Sequence, residues 1–225
     1  MLPAAAPSQS VHEFSAGRPG QVETISVIHK GYFQFESNFT PTYEGGSIML
    51  RTGFIQNLEV RFTLDDLWSE SSSTLGGFTA GLLMHIREDE GKWPGMGLAI
   101  SLSVPNADGL QMDAGQVDFV IPFSKSFTDE LFLDWHLAAS YPDDELAFSF
   151  ASLLGYGITE KLGTFVGLYS GKLADGLSET SISMDVGFTY MFRDNIQLDL
   201  NGGIPVSDKG EDPFIDIGLV FILPK

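Results

Sequence analysis

Seven carboxylates, three arginines and two histidines sit where an apolar run is interrupted at every second residue: Glu36, Glu59, Asp118, Asp134, Asp185, Asp199 and Asp216, with Arg51, Arg61 and Arg87, and His85 and His136. In LEVRFTLD, Leu58, Val60, Phe62 and Leu64 fall on one side of an extended chain, and Glu59, Arg61, Thr63 and Asp65 on the other. Gathered in one enclosed space, such side chains support two kinds of chemistry. A ring of charges at a constriction sorts solutes by charge, whereas a set of mutual ion pairs stiffens a narrow interior, because buried charges must be paired. Arg51, Glu59 and Arg61 are the first place to look, since the short turn Phe54-Ile55-Gln56-Asn57 folds them toward one another.

Covalent chemistry has little support. No serine lies in a GxSxG elbow, so His85 and His136 lack a recognisable nucleophile for hydrolysis of lipid. There is no cysteine, and His12 and His29 have no neighbour at metal-ligand spacing, so neither a metal nor a cofactor is expected.

The elements that must position these residues are strands. Helical periodicity is almost absent, and period-two alternation can be read twelve times between Gly and Asx clusters. The first run sets Phe33, Phe35 and Phe39 against Gln34, Glu36 and Asn38; the second sets Ile48 and Leu50 against Arg51. LEVRFTLD is the third. The fourth separates Phe78, Ala80, Leu82, Met84 and Ile86 from Thr79, Gly81, His85 and Arg87, and the fifth separates Met96, Leu98, Ile100 and Leu102 from Ala99, Ser101 and Ser103. Asp118, then Asp134 and His136, mark the second face of the sixth and seventh; the eighth and ninth carry mostly Gly, Ala and Ser there. Asp185, Asp199 and Asp216 mark it in the last three. Each run is about 10 residues, the span of a tilted membrane strand.

The second face decides between a soluble sandwich and a membrane barrel. A mixture of Gly, Ala and Ser with scattered charges suits a narrow, partly wet lumen better than a face in bulk water. The connections alternate in kind as well. An apolar-x-polar-polar-apolar tip returns as FIQNL (54–58), FTDEL (127–131), ITEKL (158–162) and FRDNI (192–196), while acidic segments such as DDLWSESSSTL and PVSDKGEDP join the other ends. Short turns on one side and mostly longer loops on the other describe an all-β, single closed antiparallel transmembrane β-barrel of about twelve strands, with short periplasmic turns and longer acidic extracellular loops. Closure also pairs every edge, as hydrocarbon requires. Trp135, Tyr141, Tyr156, Tyr190 and Phe192 are placed for an outward aromatic girdle.

The formal charge of −18, from 12 Lys plus Arg against 30 Asp plus Glu, excludes nucleic acid as a partner. No apolar run reaches the roughly 18 residues of a membrane helix. Acidic loop residues, among them Asp65, Asp66, Glu70, Asp108, Asp113, Asp143, Asp144, Glu145, Asp175, Glu179, Asp208, Glu211 and Asp212, either solvate the exterior or bridge cations, although no EF-hand spacing occurs. Residues 1–29 form a separate N-terminal segment ahead of a barrel at 30–225. MLPAAAPSQS lacks a basic start and an apolar core, so it is not itself a secretory signal; the start is either what remains after one was removed or an intact cytosolic N-terminus. The β-prone stretch VETISVIH then lies either in the periplasm or inside the lumen as a plug.

The runs GYFQFESNFT, SIMLRTGFIQNLEVRF and GGFTAGLLMHIR, a strand ending in Val104-Pro105 and the closing DPFIDIGLVFIL together resemble the outer-membrane family named for a MetA pathway of phenol degradation, a group of transporter-like barrels. The likeness covers nearly the whole chain after about residue 30. It implies location in the outer membrane among its lipids and passive passage of small apolar or aromatic solutes. The alternative is a structural barrel with a closed lumen that presents its acidic loops to a surface or periplasmic protein. One departure is the ending FILPK, where many such barrels finish on an aromatic residue.

Overall fold

The structure is a computed structural model and describes residues 20–42, 45–65, 67, 77–105, 115–141, 146–171 and 180–224. Twelve strands follow in chain order: β1 (Tyr32–Thr40), β2 (Gly45–Ile55), β3 (Leu58–Asp65), β4 (Gly77–Arg87), β5 (Gly95–Pro105), β6 (Gln116–Ser126), β7 (Leu131–Tyr141), β8 (Ala147–Gly157), β9 (Leu162–Ser170), β10 (Ile182–Arg193), β11 (Ile196–Pro205) and β12 (Phe214–Pro224). Each pairs antiparallel with its chain neighbours, and β1 closes on β12, so no edge remains open. Phe35 stands opposite Phe221 at this seam, and their rings stack outside it with centroids 4.9 Å apart.

Burial is inverted relative to a soluble protein. Leu137, Phe148, Val186, Phe188 and Leu200 are half exposed on the outer wall, while Arg51, Glu59, Gln34 and Glu36 are sealed inside. An outer surface so rich in large apolar side chains suits hydrocarbon, and the strand alternation sorts it from the lumen residue by residue. Tyr156, Tyr190 and Phe192 are exposed near the short-turn end, where Phe54, Trp93 and Phe127 join them, and Tyr141 is exposed at the opposite end of β7. Trp135 differs: it lies inside the strand span and stacks on Phe123, its partner across β6 and β7, at 5.3 Å.

The four recurring tips fall at one end of the barrel and divide into two geometries. In FTDEL and ITEKL the hydroxyls of Thr128 and Thr159 each accept two backbone N–H groups, and Phe127 and Ile158 donate to the carbonyls of Leu131 and Leu162 at 2.8 Å. FIQNL and FRDNI turn more tightly, with register shifts at Gly53/Ile55 and Met191/Arg193, and Asn57 takes a φ of 63° that asparagine tolerates. Asp66, Glu70, Asp108, Asp113, Asp143, Asp144, Glu145, Asp175 and Glu179 lie outside the described residues, as do residues 1–19 with His12.

Candidate functional site in the lumen

The alternation places Glu36 on β1, Arg51 on β2, and Glu59 and Arg61 on β3 facing inward, and the pairing registers bring them together. Arg51 is fully buried. Its Nη1 donates to Glu36 at 2.7 Å, its Nε and Nη2 grip both oxygens of Glu59 at 2.7 and 3.1 Å, and Nη2 also reaches the carbonyl of Ser26 at 3.1 Å. Arg61 continues the chain of charge, donating to Glu59 and to Glu23. A planar guanidinium meets a carboxylate through two parallel bonds, so the cluster has direction as well as charge.

Glu23 and Ser26 belong to residues 20–29, which run through the lumen along the inner faces of several strands. The backbone N–H of Ile28 donates to Glu59 at 2.7 Å, and that of Glu23 donates to Nδ1 of His136 on β7 at 2.9 Å. Nδ1 of His136 therefore acts as the acceptor, which leaves the ring proton on its other nitrogen. His85 on β4 meets the carbonyl of Ile25 through Nδ1 at 3.0 Å. Val22, Ile25 and Ile28 are all buried. Gly53 on β2 lets the backbone come close: a Cβ there would lie 2.3 to 2.5 Å from Ile28, His29 and Lys30, and Lys30 makes an isolated parallel bridge with Gly53.

The opposite wall is apolar. Val22 packs with Ala151 and Leu153 of β8, Phe165 and Tyr169 of β9 and Phe214 of β12, with Phe132 against them. Large inward side chains sit over glycines of the next strand: Phe132 over Gly155, Phe214 over Gly203, Asp185 over Gly167 and Asp199 over Gly218. Between the segment and this wall lies a cavity of about 160 Å³, lined by Val22, Thr24, Phe132, Asp134, Leu153 and Phe165 among others. Its remaining walls come from Tyr156, Gly157, Gly163, Thr164 and Thr189, toward the short-turn end.

The other carboxylates stand apart from the arginine cluster. Asp118 accepts from Gln116 at 2.6 Å, Asp199 from Gln197 at 2.7 Å, and Asp216 from Asn38 and Thr40 at 3.1 Å each. Asp185 is buried and its Oδ2 has no hydrogen-bond partner among the described residues. The candidate residues thus form separate clusters and not one ring. Arg87 requires a correction. The register shift between His85 and Arg87 breaks the alternation, so Arg87 pairs with Met96 and leaves the lumen series. It is exposed at the short-turn rim, where it donates to the carbonyl of Pro94 at 2.7 Å and lies over the ring of Trp93.

Two groups of inward-facing residues escape a reading of the alternation alone. Phe132, Leu153, Phe165 and Phe214 point inward although they are large and apolar; for Leu153 and Phe165 the signal is that LLGY and FVGLY are apolar on both faces. Glu23 and Ser26 lie ahead of the first strand, where no periodicity assigns a face.

A closed barrel with an apolar exterior, a charged and glycine-lined interior and short turns at one end is a transmembrane β-barrel of the outer-membrane, porin-like class. Residues 16–221 match the family described as "Putative MetA-pathway of phenol degradation", and the chain belongs to it. An outer-membrane channel of Pseudomonas putida F1 is similar in structure, with a TM-score of 0.63 at 14% identity over 92% of this chain and 99% of that one. A KdgM porin in complex with disordered oligogalacturonate gives 0.58 at 10% identity, covering 84% and 98%. A NanC porin gives 0.57 at 8% identity, covering 86% and 99%. No curated protein matches the chain.

Proposed function

We propose that the protein is an outer-membrane channel for passive passage of small apolar or aromatic solutes, held closed in this conformation by residues 20–29. The observation that carries the reading is what fills the lumen: a peptide segment seated on side chains, outside the strand ladder. Such a segment can leave without breaking the hydrogen bonds of the barrel wall. It joins β1 through Gly31, whose φ of 100° suits glycine and whose absent Cβ would meet nothing within 4 Å, beside the Lys30–Gly53 bridge and the bond from the Tyr32 N–H to the His29 carbonyl. With the segment displaced, a solute would meet the apolar wall of β7–β9 on one side and the arginine–glutamate cluster on the other. The carboxylates of β10–β12 would disfavour anions.

The rival is a structural barrel with a closed lumen that presents its acidic loops to a surface or periplasmic protein. The buried clamp of Arg51 on Glu36 and Glu59 favours it, because such a cluster stiffens as well as it selects. Single-channel recording and proteoliposome swelling with small uncharged solutes separate the two. The channel reading expects rare openings in the full chain and frequent ones after deletion of residues 20–29. A barrel that stays silent in both forms under all salt conditions leaves the structural reading in place.

A further inference from the structure

We infer that the cavity between residues 20–29 and the β7–β9 wall is a binding site for a small organic ammonium ion with an apolar body. The inference goes beyond the channel reading, since a bound ligand requires no passage. The size comes first: about 160 Å³ matches the roughly 150 Å³ of a buried apolar cavity that accepts a molecule as large as benzene. The walls come next. Val22, Phe132, Leu153 and Phe165 provide an apolar surface, and the two aromatic rings attract a cation at their faces.

Asp134 supplies the discrimination. Its side chain lines the cavity, while its Oδ1 is sealed from water with no hydrogen-bond partner among the described residues. Its register partners are Ser124 on β6, whose side chain hydrogen-bonds to the carboxylate without bringing a charge, and Leu153 on β8. The lumen arginines are engaged elsewhere, Arg51 with Glu36 and Glu59, and Arg61 with Glu59 and Glu23. No ion pair reaches Asp134 among the described residues. A carboxylate taken partly out of water without a counter-charge is costly to keep. An ammonium group on a ligand supplies that charge and also hydrogen bonds. A neutral ligand of equal shape leaves the carboxylate as it was, and an anion adds repulsion.

The test is calorimetric titration of the full chain in detergent micelles at neutral pH with benzylamine, benzyl alcohol and benzoate, which share one ring and differ in charge. Benzylamine is expected to bind at least about tenfold more tightly than benzyl alcohol, and benzoate not at all. Asp134→Asn should cost the amine about that same factor and leave the alcohol unchanged. Leu153→Phe, which fills the cavity with Asp134 intact, should remove both. Each variant's fold is checked by the heat-dependent shift of the barrel on a gel. Equal affinity for amine and alcohol, amine binding that survives Asp134→Asn, or no binding by any probe overturns the inference. Because none of these readouts is a conductance, a silent channel with intact amine binding sinks the channel reading alone.

Discussion

The substitution Gly53→Ala tests the seating of the N-terminal segment without removing a charge. A methyl group on this residue would lie 2.3 Å from the carbonyl oxygen of Ile28 and 2.4 to 2.5 Å from the backbone of His29 and Lys30. Comfortable non-bonded contact needs about 3.5 Å, so this backbone must retreat by about 1 Å. The bond from the Ile28 N–H to Glu59 is 2.7 Å long, and a retreat of that size breaks it. Hydrogen bonds to charged groups contribute about 1.5 to 3 kcal/mol, which translates into a shift of about 10- to 150-fold in the ratio of released to seated segment. The assay is single-channel recording in planar bilayers, with open probability compared at several voltages. Gly77→Ala is the matched control, because a Cβ there meets nothing closer than 3.6 Å. If folded Gly53→Ala barrels open no more often than the control, the segment does not gate the lumen, whatever its contacts.

Other consequences follow from the same geometry. Arg51→Met leaves the buried carboxylates of Glu36 and Glu59 short of their shared cation and should cost about 3 to 5 kcal/mol, read as a lower urea midpoint in lipid vesicles; adding Glu36→Gln should recover part of the loss. Gly155→Ala drives a methyl to 2.2 Å from the ring of Phe132 and should destabilise the barrel by about 1 to 3 kcal/mol, with Phe132→Leu in the same chain restoring the midpoint. At the turn after β4, the ammonium of Lys125 and the backbone N–H of Ser126 bond to Asp89 and hold its carboxyl below the usual range. A depressed carboxyl pKa stabilises above the unfolded value of about 3.9, and that contribution disappears as pH falls through the folded value. Protection of the Ser126 amide in hydrogen exchange should therefore hold from neutral pH down to about 4 and fall only below it; loss of protection already near pH 6 would show that the Asp89 contact is not what protects it.

The particular residues show how far a one-dimensional reading reaches. Glu36, Arg51, Glu59 and Arg61 were assignable to one face because successive side chains of a strand point to opposite sides, a rule that acts within a few residues. The same rule fixed Phe148, Phe188 and Leu200 outside, and the recurring tips marked where the chain reverses. Arg87 was misplaced because a register shift adds one residue and flips the face that follows, and the shift depends on how β4 meets β5. Asp134 was assignable to the lumen, yet its lack of a cation follows only from where Arg51 and Arg61 find their partners.

The sequence by itself therefore determined a twelve-stranded barrel, its two faces and the kind of side chain on each, since alternation and turn chemistry are local. Only the tertiary structure decided what stands beside what inside. Strand register and closure bring Glu36 of β1 to Arg51 of β2 and set the Phe132 ring over Gly155. They also open a path for residues 20–29, where the backbone N–H groups of Ile28 and Glu23, outside the strand ladder, donate to Glu59 and His136 instead.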